Sequence, residues 1–331
     1  MSIAAFVLPL VSLLIGFRAR AIGTWLGVMD QPDGIRKTHS AATPLVGGLA
    51  ITAPFLMACA RRLWQGPDSA IVVALMLAVG GAFLLGFLDD RKQVLASFRF
   101  VATIILVFVS LALVPAFVVE QFNFSFLHET IALHPISLIF TVLVVVGMIN
   151  AVNMADGMNG LVCGLCLIWT GFLLFYAPAD VVSILVLLAF VLFITLVFNL
   201  DGLLFLGDSG SYSLGMTISL LTVYIYNTTS GTLHADAVVA WFIVPVLDCL
   251  RLMVTRISKH RSLGSPDTDH LHHRMQRLLP GFWALISYWM LVAVPGVLAI
   301  AIPPLAPVAV LAVSGVYLGL IILTSKRLAA G

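Results

Sequence analysis

Residues 69–88 read SAIVVALMLAVGGAFLLGFL and are followed at 89–92 by DDRK. The apolar run carries no formal charge and is as long as a bilayer requires, since a helix needs about 20 mostly apolar residues to cross the hydrocarbon core. A strand of a closed membrane barrel would alternate polar and apolar residues over about 10 positions, and this run does not. The stretch therefore predicts a membrane-spanning helix that ends on two adjacent acids. Ten more runs of the same kind lie at 3–19, 45–60, 99–118, 135–153, 160–177, 181–199, 211–228, 237–254, 283–302 and 305–324. The expected fold is all-α, a polytopic membrane helical bundle of about 11 transmembrane helices.

Composition points the same way. The chain of 331 residues is 61% hydrophobic and 10% charged, with a mean hydropathy of +1.11, whereas soluble domains run about 45–50% apolar and about 25% charged. A net charge of +2 identifies no partner and gives no sign of nucleic acid; the distribution of charge is what carries information. Cys59, Cys163, Cys166 and Cys249 all lie in or beside apolar runs, so no disulfide framework is implied, and Cys163-x-x-Cys166 reads as packing. No Lys or Arg precedes the first apolar run, unlike a cleaved signal peptide, so that run is expected to stay as the first helix.

Eleven spans put the termini on opposite sides. With the N-terminus outside and the C-terminus cytoplasmic, the inner gaps are 20–44, 89–98, 154–159, 200–210, 255–282 and the tail from Ser325. Of the 17 Lys and Arg residues, only Arg61 and Arg62 then fall in an outer gap, as the positive-inside rule expects. The chain reads as one integral membrane domain, 1–331, whose polar constellations gather in those inner loops.

Two adjacent acids, Asp89 and Asp90, raise each other's pKa unless solvated or bound to a metal; the plain alternative is a solvated helix end beside Arg91 and Lys92. Asp208, in Gly207-Asp208-Ser209-Gly210-Ser211, precedes the eighth span, where small residues and a helix N-terminus suit an anion. Mg²⁺ typically takes one or two carboxylates plus substrate phosphates, so Asp89, Asp90 and Asp208 can share one ion. Asn153 and Asp156, three apart, can share a helix face. The 255–282 loop holds Arg256, Lys259, Arg261, Arg274 and Arg277 with His260, His270, His272 and His273, a density suited to phosphate. The alternative there is zinc on His-x-His-His with Asp267 or Asp269. Arg36-Lys37-x-His39, Thr43-Pro44 and Gly47-Gly48 in the first inner loop suit a lipid phosphate and close helix packing. Asp248 and Arg251, in the ninth span, either neutralise each other or support the site.

Taken in order, Asp30-x-Pro32…Arg36-Lys37-x-His39…Pro44…Gly47-Gly48, Asp89-Asp90-x-Lys92, Asn153-x-x-Asp156-Gly157-x-x-Gly160-Leu161, Gly207-Asp208-Ser209-Gly210-Ser211 and Pro266-Asp267…His270-x-His272-His273 resemble the motifs of the polyprenyl-phosphate N-acetylhexosamine-1-phosphate transferases. The resemblance runs from Asp30 to about Arg277. The His-x-His-His form is similar to the branch using UDP-N-acetylglucosamine or close relatives; the phospho-MurNAc-pentapeptide branch carries three consecutive histidines. The chain departs from the family at Asn159, where many members have an aspartate, at residues 199–205, which lack a Pro-Ala-Arg element, and at Thr268, which replaces an arginine.

The resemblance implies a magnesium-dependent transferase, with Mn²⁺ as a substitute, in the bacterial cytoplasmic membrane, its active site on the cytoplasmic face. It would move N-acetylglucosamine-1-phosphate, or a related N-acetylhexosamine-1-phosphate, from a UDP-sugar to undecaprenyl phosphate. Undecaprenyl-diphospho-sugar and UMP would result, starting a cell-surface glycan. The resemblance implies catalytic roles for Asp89, Asp90 and Asp208, with Asp208 the metal ligand, Asp90 a second contact, and Asp89 orienting or deprotonating the lipid phosphate. Substrate contacts are implied for Lys37, His39, Asn153, Asp156, Asn199, Arg261, His270, His272 and His273. The partners are the UDP-sugar, undecaprenyl phosphate and the bilayer, with no nucleic acid; a homodimer is compatible with this reading. The rival class, a transporter, would place its polar groups near the bilayer midplane in paired repeats, whereas these cluster at span ends.

Overall fold

The computed structural model describes residues 4–32, 42–66, 70–229, 231–260 and 269–330. The chain begins with α1 (Ala4–Phe17) and α2 (Ala19–Leu26), which meet at 75°. Two short strands follow, β1 (Met29–Asp30) and β2 (Thr43–Pro44), paired antiparallel with Met29 opposite Pro44. Helices α3 (Gly47–Gln65), α4 (Ala70–Lys92) and α5 (Ala96–Leu113) lead to a second antiparallel pair, β3 (Gln121–Phe122) with β4 (Ile131–Ala132). The remainder is helical: α6 (Ser137–Ala155), α7 (Leu161–Tyr176), α8 (Ala179–Leu200), α9 (Gly207–Thr228), α10 (Ala235–Ser258), α11 (Leu271–Gln276), α12 (Gly281–Ala301) and α13 (Ala306–Ala330).

Each of the eleven apolar runs forms a helix, so the all-α expectation holds. Among the described residues, α4, α5, α6, α8, α10, α12 and α13 are long and apolar enough to cross a membrane, and α1 with α2 adds an eighth if the bent pair is one span. The chain is a multi-pass membrane protein. By length and composition it shows seven or eight spans, fewer than the eleven expected, and the reason is most visible in α9. Every residue from Ser209 to Ile225 is buried, because α9 is enclosed by α3, α4, α6 and α7. A helix shielded from lipid need not be apolar. Several of its hydroxyls turn back on the backbone instead, Thr217 donating to Ser213 O (2.7 Å) and Thr222 to Ile218 O (2.7 Å), while Thr52 of α3 reaches Ser213 Oγ (3.1 Å).

Cys163 and Cys166 are free and buried in α7, as expected of packing residues. One large apolar core runs through the bundle, and a smaller one joins α1, α3 and Leu204. The C-terminal ends of α4 and α6 lie beside the N-terminal ends of α5 and α9. That end holds the candidate site.

Candidate active site

Asp90, in the last turn of α4, accepts the backbone N–H of Asp208 at Oδ1 (2.7 Å) and of Ser209 at Oδ2 (3.0 Å). It therefore caps α9 from a different helix, satisfying two amides that a helix start leaves open and placing a negative charge where the helix dipole favours one. The anion that the start of α9 receives at its Asp208 and Ser209 amides is thus the Asp90 carboxylate, which keeps a lone pair on each oxygen beyond the cap. The approach is very close: a Cβ on Gly86, one turn earlier in α4, would lie 2.3 Å from Asp208 O. Gly47 and Gly48 do pack closely, as expected, donating to Phe205 O (2.9 Å) and Leu206 O (3.0 Å), while Phe205 donates to Pro44 O (2.9 Å). The Pro44…Gly48 motif and the Gly-Asp-Ser-Gly turn are thus stitched together by backbone bonds.

Asp89 is 7% exposed and accepts the Val94 N–H at Oδ1 (2.6 Å) and the Arg99 guanidinium at Oδ2. Between them the chain leaves α4 through Gln93 in the left-handed conformation, φ 52°, which turns α5 back so that Arg99 faces the acids. Arg99 also reaches Asp208 Oδ2 at 3.5 Å. On its other side Asp208 Oδ1 accepts Asn153 Nδ2 (2.7 Å), and the same amide reaches Ser211 Oγ (2.9 Å). Asp208 is the more open acid, 35% exposed at its side chain. Asp89 is enclosed and engaged at both oxygens, so its geometry is that of an orienting group rather than a free base. Sequence reasoning missed Arg99, which stands first in an apolar run; the available signal was a charge inside a span.

Asp156 follows the last turn of α6 and is partly buried. Burial first, and then the charge of Asp90, push its carboxyl up to about 7. Asp89 and Asp208 thus share one guanidinium, and Asp156 lies near enough to Asp90 to feel its charge, an arrangement short of positive charge. Among the described residues, no three His, Cys, Asp or Glu groups are arranged to hold a metal by themselves. A divalent cation that takes one or two carboxylates and completes its shell with phosphate oxygens and water fits this donor set. A fully protein-ligated zinc does not, because Asp269 pairs with Arg251 (2.9 Å) and Arg274 (2.6 Å) and His270 Nδ1 faces Asp248 (3.3 Å); Asp267 lies outside the described residues.

The histidines sit at the start of α11. His270 and His272 stack with ring centroids 5.4 Å apart, and His272 and His273 lie at 4.2 Å. A Cβ on Gly157 would lie 2.2 Å from His272 Nε2, so the histidine helix packs directly on the turn after α6. His272 Nε2 is enclosed without a hydrogen-bond partner among the described residues. Burial, then the neighbouring His273 and His270, hold that imidazole well below its ordinary range. His272 is therefore a neutral hydrogen-bonding group at pH 7, not the cation that phosphate binding by charge had suggested. Asn199 is 5% exposed; it accepts from Gly160 N (2.6 Å) and donates to Leu204 O (2.9 Å), which joins two loops. Lys37, His39 and Arg261 lie outside the described residues.

The chain is similar to known proteins. Residues 71–226, which carry the α4, α6 and α9 motifs, match the family model described as glycosyl transferase family 4. The chain is 32% identical over 286 residues to a probable undecaprenyl-phosphate N-acetylglucosaminyl 1-phosphate transferase of Bacillus subtilis, covering 82% of this chain and 76% of that one. It is 30% identical over 293 residues to an undecaprenyl-phosphate alpha-N-acetylglucosaminyl 1-phosphate transferase of Yersinia pestis, covering 84% and 77%. A protein of the same description from Escherichia coli K12 is 29% identical over 278 residues, covering 79% and 72%.

Proposed function

Because the chain belongs to glycosyl transferase family 4, the polyprenyl-phosphate N-acetylhexosamine-1-phosphate transferases, we propose that it transfers N-acetylglucosamine-1-phosphate from UDP-N-acetylglucosamine to undecaprenyl phosphate, releasing UMP. The observation that carries this reading is the open Asp208 carboxylate, held between Arg99 and Asn153 at the end of the bundle where the histidine helix packs. The site faces the cytoplasm of a bacterial inner membrane, with eleven membrane-crossing helices, the N-terminus outside and the C-terminus inside. A soluble nucleotide-sugar and a lipid phosphate can both reach a carboxylate placed there.

A phosphate oxygen of the lipid attacks the phosphorus attached to the sugar, and the bond from that phosphorus to the UMP oxygen breaks. The nucleophile needs no strong base, since the second pKa of a phosphate monoester is about 6. Catalysis then rests on position and charge. Asp208 would hold Mg²⁺, or Mn²⁺ in its place. When bound, the cation neutralises diphosphate charge. Asp89 orients Arg99, whose guanidinium meets a phosphate oxygen. Asp90 holds the α9 start in place, and Asn153 fixes the rotamer of Asp208. His270, His272 and His273 receive phosphate or sugar oxygens, with Lys37, His39 and Arg261 as further phosphate contacts.

The test is UMP release from purified protein given UDP-N-acetylglucosamine and undecaprenyl phosphate. Asp208→Asn is expected to lower it by about 10²–10³, the range seen when one preorganised electrostatic contact is removed. No UMP from any UDP-N-acetylhexosamine, or near-native turnover by Asp208→Asn, would overturn the reading.

A further inference from the structure

Asp248 and Arg251 are far more than a self-neutralising pair. Asp248 is 5% exposed and accepts four hydrogen bonds. Its Oδ1 takes Arg251 NH2 (2.9 Å) and Tyr317 Oη (3.2 Å), and its Oδ2 takes Leu271 N (3.1 Å) and His270 Nδ1 (3.3 Å). An ionised carboxylate can only accept, so the last contact requires the hydrogen on Nδ1. That fixes His270 in one tautomer and leaves Nε2 as its acceptor nitrogen, the same logic by which a carboxylate orients a metal-bound histidine.

The support extends further. Arg251 also donates to Tyr317 Oη (3.0 Å) and Asp269 Oδ2 (2.9 Å). Arg274 donates to both Asp269 oxygens (2.8 Å each), to Thr324 Oγ1 (2.9 Å) and to Ser325 Oγ (2.9 Å). Burial works against the Asp269 charge, but the guanidinium groups of Arg274 and Arg251 outweigh it and hold that carboxyl below its ordinary range. Helices α10 and α13 therefore grip both ends of α11. Buried ion pairs are poor stabilisers compared with apolar residues of similar size, so stability alone is a weak reason to gather this many charges at one helix.

We propose that Asp248 is a positioning residue for the transfer reaction. Through its bond to Nδ1 it sets the tautomer and heading of His270, and Arg251, Tyr317 and Asp269–Arg274 hold Asp248 and α11 in register. The inference rests on the transferase reading, in which His270 Nε2 accepts a hydrogen from a hydroxyl or amide of the nucleotide-sugar.

A double-mutant cycle on the full-length protein in detergent tests it. Asp248→Asn is expected to raise KM for UDP-N-acetylglucosamine at least tenfold while changing kcat less than threefold. In a His270→Asn background the same substitution is expected to change KM less than twofold, because the group it acts through is gone. Where His270→Asn turns over too slowly for KM, the Kd for UDP by titration calorimetry reads the same cycle. Tyr317→Phe removes one of the four bonds without stranding a charge. It serves if Asp248→Asn fails to fold, with about a threefold KM rise expected that vanishes in the His270→Asn background. Equal effects with and without His270 mean a merely structural role and overturn the proposal. The two readings fail differently: a wild-type protein that releases no UMP overturns the transferase assignment and this proposal with it, whereas additive variants of an active protein overturn this proposal alone.

Discussion

Arg99 stands between two carboxylates, 20% exposed at its side chain while Asp89 is 7% exposed. Replacing it with Met leaves Asp89 buried without its counter-charge, a change that costs about 3–5 kcal/mol when one partner of a buried pair is lost. The expected outcome is a lower Tm for Arg99→Met in EDTA and a larger recovery on adding Mg²⁺ than the wild type shows. Identical Mg²⁺ responses would separate Arg99 from the cation site. Asp156 gives a pH signature. The folded chain keeps its proton up to about 7, against 3.8 for an unshifted carboxyl. The native state therefore binds more protons than the unfolded state between those values, and stability falls as pH rises through that window. In EDTA, Asp156→Asn is expected to flatten the fall in Tm from pH 5 to 8, and an unchanged slope would count against a strained Asp156. The sequence displayed these acids openly but not their roles. Asp89, Asp90 and Asp208 are all present in the motifs, whereas the division into an Arg99-paired acid, a helix cap and a more open carboxylate depends on which amides and guanidinium each one meets.

Two helices, α4 and α9, form the element that matters most. Asp90 caps α9 from the end of α4, and Gly86 lets the two backbones touch. Gly86→Ala forces the Asp208 peptide to move and is expected to lower UMP release at least tenfold. Gly80→Ala on the same helix, whose new Cβ would have its nearest neighbour at 3.8 Å, is expected to leave activity within twofold; equal activity in both would mean the contact is irrelevant to catalysis. The long helices were legible because burial imposes long apolar runs. Helices α2 and α11, of 8 and 6 residues, were not, since they are too short to show a period and lie in loops read as polar. The β1–β2 and β3–β4 pairs escaped for the same reason.

At the scale of the whole molecule, the packing of the helices brings residues 89, 99, 153, 208 and 272 to one end. The four native cysteines are buried, so a single added cysteine is the one open to a membrane-impermeant maleimide. Cysteines replacing the exposed Gln93 and Arg277 are expected to react only in inside-out vesicles, and one replacing the exposed His128 only in intact cells. Labelling of Gln93→Cys and His128→Cys from the same side would refute the proposed orientation. The sequence by itself determined the solvent and the chemistry: lipid excludes bare polar backbone, so long apolar helices are forced, and the few acids and histidines left stand out as candidates for the site. Only the tertiary structure decided that α9 is shielded from lipid, that Arg99 bridges Asp89 and Asp208, and that Asp248 holds His270. Those pairings join residues from 10 to 109 positions apart, and a contact between side chains on different helices is set by how the helices pack, which no local run of residues encodes.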